Sequence, residues 1–231
     1  MNYLINSPYF GIISALLAAF CWSIAVIIFK SASNFLSPLL IVTLKNTIAV
    51  FCFIVMFIFF EIPLWYANLD FIDYLKIILS GILGMGVSDL LFIHALSKIG
   101  ANRVAIINCF EPAVICCFSI IILGTYLTIL QFIGFLIVII ALLIISYEKD
   151  DSEIEKTVKH RGMLTQILAV ILSSFGIVLI KPILSKINSS IASQLWVTFF
   201  RLFPGFIFTW LIFLFQKNKL KLLLPLKNKS I

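Results

Sequence analysis

Seven apolar runs of bilayer-spanning length follow one another with short connections, and that succession dictates the fold class. They cover roughly Phe10–Phe29, Pro38–Phe60, Leu75–Leu96, Arg103–Leu123, Ile129–Tyr147, Gly162–Leu184 and Ala192–Phe215. A helix needs about 20 mostly apolar residues to cross a hydrocarbon core ~30 Å thick. Membrane β-strands instead alternate over about ten residues, and these runs are continuous. Composition agrees, with 62% of the 231 residues apolar, 12% charged and a mean hydropathy of +1.18. A soluble domain carries about 45–50% apolar and about 25% charged residues, and no interior of this size hides the excess. The expected fold is all-α: a polytopic integral membrane helix bundle with about seven transmembrane helices and the lipid bilayer as its first partner. A soluble, secreted or disordered chain is excluded.

The net charge of +7 does not point to nucleic acid. The lysines sit at the ends of apolar runs and in the tail, where bilayer electrostatics places them. Cys21, Cys52, Cys109, Cys116 and Cys117 lie inside apolar runs, with no CxxC pair and no clustered histidines, so they read as small hydrophobes. No hydrolase elbow, HExxH pair, Cys–His nucleophile or cofactor motif occurs. The sequence therefore calls for no catalytic residue, no metal and no cofactor, and an intramembrane enzyme using Asp89 and His94 is the weakest reading. Met1–Tyr9 carries no Lys or Arg and no small-residue cleavage site follows the first run, so that run is expected to stay as a helix.

One composition shift interrupts the pattern: Glu148–Arg161, EKDDSEIEKTVKHR, is the expected linker between two units, residues 1–147 and 162–231. The units look alike. Gly11 and Lys30 bracket the first run as Gly162 and Lys181 bracket the sixth, and IVTLKNTIAVF around Lys45 is echoed by WVTFFRLFPGF around Arg201. Five helices per unit is an odd number, so a second copy enters the membrane from the opposite face, as in inverted-repeat transporters. The expectation is one five-helix repeat followed by an incomplete inverted second repeat of two helices and a basic tail. Orientation is divided. Twelve Lys and Arg lie on the side of the first, third and fifth loops and the tail, against Lys76, Lys181 and Lys186 opposite, which votes for an external N-terminus.

Ionisable groups inside spanning helices cost roughly 2.5–3.5 kcal/mol each on insertion scales, so each demands an explanation. Four are clear: Lys45, Asp89, Glu111 and Arg201. At 1.5 Å rise per residue, Lys45 and Asp89 each lie about 10 Å and Glu111 about 12 Å from loops on one membrane face. One cation and two carboxylates thus share a layer where pairing offsets desolvation. Arg201 lies at similar depth from the opposite face, as an inverted copy of Lys45 should. Two readings stand: an ion pair that only orients helices, or a polar layer lining a solute pathway, able to hold zwitterions or exchange protons. Pro112 removes the hydrogen bond to the Asn108 carbonyl, and Asn108 and Glu111 share a helix face, so an amide, a freed carbonyl and a carboxylate come together. Pro204 does the same to the carbonyl of Phe200. In GILGMGVSD, Gly81, Gly84, Gly86 and Ser88 form a small-residue surface for close helix packing. His94 reads as an interface histidine before a proton relay, and Trp22, Trp196 and Trp210 face lipid or a cavity.

His94-Ala95-Leu96, Gly100-Ala101, Arg103, Ala105, Glu111-Pro112, Gly124, Leu127-Thr128, Gln131 and Gly134 form an ordered series. It resembles the EamA-type half-repeat of the drug/metabolite transporter superfamily, over the first five helices and again from Gly162. The series departs at Thr125, where the family turn usually has Glu, and at Ala141, where the fifth helix usually has Gly. Family members usually have ten helices. The resemblance implies a secondary carrier of small metabolites, amino acids or drugs, multi-pass in a bacterial-type inner membrane, working by alternating access, with a cytoplasmic N-terminus. Lys45, Asp89, Asn108, Glu111, Pro112 and Arg201 are the expected substrate-pathway residues. The alternative is a truncated inactive fragment or a non-transporting membrane partner, and a homodimer is one assembly that would close the bundle.

Overall fold

The computed structural model describes residues 9–66, 68–126, 128–146, 155–187 and 190–217. Leu127 of the Gly124–Gln131 series, the first half of the Glu148–Arg161 linker and most of the basic tail lie outside the described residues. Among those described there is no strand. The helices are α1 (Phe10–Ala32), α2 (Pro38–Phe59), α3 (Phe71–Gly81), α4 (Ser88–Ile99), α5 (Ala101–Asn108), α6 (Glu111–Leu123), α7 (Ile129–Ser146), α8 (Lys156–Lys186) and α9 (Ile191–Phe215). A π-helical turn, Ile82–Val87, joins α3 to α4 as one rod over Phe71–Ile99, and α5 with α6 makes one broken span. Among the described residues six such units are long and apolar enough to cross a membrane, and α7, in the place of the fifth run, contributes a shorter apolar stretch. The chain is a polytopic helical membrane bundle. The sixth span starts at Lys156, inside the expected linker, because Lys156–Arg161 continues the helix with its charges beyond the apolar part.

Local sequence sets most of the ends. Ser37 accepts the Leu40 amide at the start of α2 with Pro38 at its first position, Asp70 and Asp73 form a reciprocal capping box on α3, and Ser190 caps α9. Gly100 turns α4 into α5 in a single residue at φ 83°, ψ 168°, a conformation open only to glycine. The carbonyls left at the end of α4 take cations: Arg103 Nη1 donates to Ile99 O at 2.9 Å and Lys30 Nζ to Ser97 O at 3.2 Å.

The core forms two apolar clusters with a polar layer between them. One joins Ile41 and Val42 of α2 to Phe92, Ile93, Leu96 and Ile99 of α4. The other joins Phe57, Ile77, Ile183, Trp196 and Val197 at the opposite end of the bundle. Trp196 is fully buried there and donates to Leu64 O at 3.3 Å, whereas Trp210 donates to Thr47 Oγ1 at 3.0 Å and Trp22 is half exposed. Thus three tryptophans alike in sequence take three different roles. The outer faces of α1, α2 and α7 carry exposed Ile, Leu and Phe, as a lipid-facing surface must.

The second cluster is closed at its rim by Lys186, whose Nζ donates to Asp73 at 2.7 Å and to Asp70 at 3.4 Å. Asp73 also holds the capping box. The Asp73→Asn variant is therefore expected to melt at a lower temperature than the parent protein, with the gap narrowing as salt screens the exposed lysine. Thermal unfolding in detergent at low and high salt checks this.

The GILGMGVSD surface packs as its small residues suggested. A Cβ at Gly81 would overlap the carbonyl oxygen of Arg201, one at Gly86 would lie 2.8 Å from the Phe208 ring, and one at Gly205 would lie 3.0 Å from the Gly81 oxygen. The rod and α9 therefore cross backbone to backbone. The π-turn lies at this crossing, and such turns are frequent at functional sites.

Candidate functional site

The polar layer begins with α2. Lys45 forms an ion pair with Asp89 of α4, both side chains only partly screened at 27% and 19% exposure. The next residue, Asn46, donates to the Met85 carbonyl of the π-turn at 3.4 Å, and its own Oδ1 has no hydrogen-bond partner. The rod also meets α8 through polar groups: the Ala169 carbonyl accepts from Ser88 Oγ at 2.8 Å and the Gly176 carbonyl from Ser80 Oγ at 2.6 Å.

Between α1, α4, the α5–α6 break and α8 lies a cavity of about 160 Å³. Its wall is Trp22 from α1, Ser88, Asp89 and Phe92 from α4, Asn108 and Glu111 from the break, and Gln166, Ala169, Val170 and Ser173 from α8. Gln166 Nε2 donates to Asn108 Oδ1 at 2.5 Å and Ser173 Oγ donates to Glu111 Oε1 at 2.9 Å. Trp22 and Phe92 meet with ring centroids 5.6 Å apart at 31°. At ~30 Å³ per water the cavity has room for about five waters, well below the ~300–1,000 Å³ of a drug-sized site.

Of the expected substrate-pathway residues, Asp89, Asn108 and Glu111 come together in this wall, with Trp22 and Ser88 beside them. Lys45 reaches it through Asp89. Pro112 is exposed in the first turn of α6 and acts on the backbone instead. Pro112 is expected to free the Asn108 carbonyl inside one helix, but the helix is broken there: α5 ends at Asn108, Cys109 and Phe110 turn, and α6 begins at Glu111, so the proline sits where its missing N–H costs nothing. Pro204 and Pro182 lie inside continuous helices.

Arg201 lies outside the wall. It is 8% exposed, beside two glycines: a Cβ at Gly84 would lie 2.5 Å and one at Gly176 3.1 Å from its Nη2. Its Nε has no hydrogen-bond partner, and Asp89 and Glu111 are the carboxylates whose charge reaches it. Two of the glycines thus make room for a guanidinium as well as for a helix. His94 is exposed, and the bonded partner of Asp89 is Lys45, so the pair Asp89–His94 gains no support as a relay.

Sequence reasoning missed Gln166 and Ser173. Their signal was present: residues 166, 169, 170 and 173 follow the i, i+3, i+4, i+7 pattern of one helix face, and on that face the otherwise large apolar residues give way to Gln, Ala, Val and Ser. Among the described residues no cluster of His, Cys, Asp and Glu has a metal-holding arrangement.

Several helices of spanning length around a small polar cavity define a class, the polytopic helical membrane protein. The family model of the EamA-like transporter family matches residues 9–147, more than half of the chain, from the start of α1 through the end of α7. The chain belongs to that family, which is a family of membrane transporters. No curated protein and no solved structure matched the chain.

Proposed function

We propose that the chain is a secondary carrier of small metabolites, amino acids or drugs, multi-pass in a bacterial-type inner membrane and working by alternating access, with no enzymatic activity of its own. The single observation behind this reading is the cavity wall, where the Glu111 carboxylate and the Asn108–Gln166 amide pair meet at mid-depth between two apolar clusters. Buried polar groups in a bilayer cost several kcal/mol unless partnered, and a transported solute is a partner that comes and goes. In this scheme Asn108 and Glu111 meet the solute, and Asp89, paired with Lys45, stands in the wall as a positioning residue. Pro112 fixes the break that brings Glu111 to the wall, and Arg201 contributes charge from its glycine slot. The scheme uses residues 1–147 as one five-helix repeat and 162–231 as the start of an inverted second one.

Glu111→Gln removes the charge and keeps the shape. Transport by the purified protein in liposomes, assayed with a panel of radiolabelled amino acids, amines and small acids, is expected to fall about 10- to 100-fold for any solute the parent moves. That matches a charge-assisted contact of ~1.5–3 kcal/mol. The melting temperature is expected to stay near the parent value, because Ser173 still donates to the Gln oxygen. Undiminished transport in this variant would sink the assignment.

A further inference from the structure

The wall of the cavity is specific about charge and about hydrogen-bond polarity. Of its two carboxylates, Asp89 is taken by Lys45, whereas Glu111 meets only the neutral hydroxyl of Ser173. Gln166 spends its Nε2 on Asn108, and its Oε1, in a side chain 1% exposed, has no hydrogen-bond partner. An orphaned acceptor this deeply buried is a standing cost that a donor from a ligand would relieve. The rings of Trp22 and Phe92 line the same cavity. The Arg201 charge reaches Glu111, but its guanidinium takes no place in the wall and no N–H from it occupies the carboxylate.

A carboxylate, an unsatisfied amide oxygen and two aromatic rings around one small cavity are complementary to one kind of group. A primary ammonium offers three N–H donors and no acceptor, and it is attracted to ring faces as well as to carboxylates. A carboxylate ligand would find Lys45 already paired and would face Glu111 across a small space, a like-charge contact that costs affinity. We propose that the cavity selects small primary ammonium solutes, with the ammonium between Glu111 and the Gln166 Oε1 and its carbon stem against Trp22 and Phe92. The inference rests on the transporter reading and sharpens it, naming the end of the solute that is recognised. With about 160 Å³ available, the stem is short.

The test uses the full chain, purified in detergent, with ethanolamine and propylamine as ammonium probes, glycine as zwitterion and propionate as anion. Thermal stabilisation and tryptophan fluorescence report binding, and exchange in liposomes reports transport. Expected are saturable stabilisation and exchange with the two amines, at least tenfold weaker responses to glycine and propionate, and loss of the amine response in Glu111→Gln. Gln166→Leu removes the orphan acceptor and is expected to weaken amine binding severalfold. Should either replacement fail to fold, Trp22→Ala at the half-exposed rim provides the same readout, with a weaker amine response expected. Exchange of glycine or propionate without amine binding would overturn the ammonium assignment and leave the transporter reading standing. Amine binding without exchange would uphold the assignment and count against transport. Absence of any amine response would overturn the inference.

Discussion

Gly81→Ala is expected to abolish most of the folded protein, although it adds a single methyl group. The added Cβ would overlap the Arg201 carbonyl oxygen and lie 3.3 Å from the Pro204 Cβ. Both neighbours belong to a helix that cannot swing a side chain away, since the clash is with backbone and a proline ring. From the other side, a Cβ at Gly205 would lie 3.0 Å from the Gly81 oxygen and 3.1 Å from the Met85 Cβ, so sliding the helices along each other finds no relief. The crossing must open, and opening it also separates the polar layer from the neighbouring apolar clusters. Overpacking costs about 1–3 kcal/mol where side chains can yield and more where backbone must move. Without a hydrophobic force between helices in lipid, this close contact is much of what holds the pair. Gly134→Ala is the control. Its Cβ would meet nothing within 4 Å, so alanine there is expected to be neutral or to stabilise by up to ~1 kcal/mol through helix propensity. Gly84→Ala is expected to fall between them, because its neighbour at 2.5 Å is the mobile end of the Arg201 side chain. Size-exclusion profiles and thermal midpoints of the three variants check the order. A Gly81→Ala protein as stable as the parent would show that the rod and α9 do not cross this closely.

The features legible in the sequence were those written in periods and lengths. Apolar runs gave the spans, and rise per residue placed Lys45 and Asp89 at one depth, where they form an ion pair. The same arithmetic brought Glu111 to the height of Asp89, and the three-residue spacing put Asn108 on the face of Glu111. Depth along a helix is a one-dimensional quantity, and a sequence carries it directly. Rotation about the helix and the identity of the facing helix are not, and the misses follow from that. Arg201 shares the depth but points into a slot between Gly84 and Gly176, so it stands outside the wall that its depth suggested. Gln166 and Ser173 stand out only as members of one face of their helix, and which neighbour that face meets is not written in the helix itself. The π-turn has no periodic signal either. Gly84 and Gly86 permit it, and the packing of α9 against them selects it. At Pro112 the sequence marked the right place and the wrong geometry, since a proline at a helix start and a proline in a helix interior read alike until the turn at Cys109 and Phe110 is seen.

Lys45 and Asp89 are expected to behave as a pair rather than as two residues. Lys45→Met leaves a carboxylate, and Asp89→Asn an ammonium, with no countercharge bonded to it in the polar layer. Breaking a fully buried pair by removing one partner costs about 3–5 kcal/mol. The cost here is expected to be lower, because the Lys45 and Asp89 side chains keep 27% and 19% of their exposure. The double variant Lys45→Met/Asp89→Asn removes both charges together and is expected to melt above either single variant, since no uncompensated charge remains. The swapped pair Lys45→Asp/Asp89→Lys is expected to recover part of the stability for the same reason. Transport separates a positioning role from a solute contact. A swapped pair holds α2 against α4 but leaves Glu111, Gln166 and the aromatic corner untouched, so exchange is expected to fall less than tenfold, against the 10- to 100-fold loss in Glu111→Gln. A swapped protein that folds like the parent and moves nothing would make the ion pair part of the solute contact, and the ammonium would then have two carboxylates to choose between.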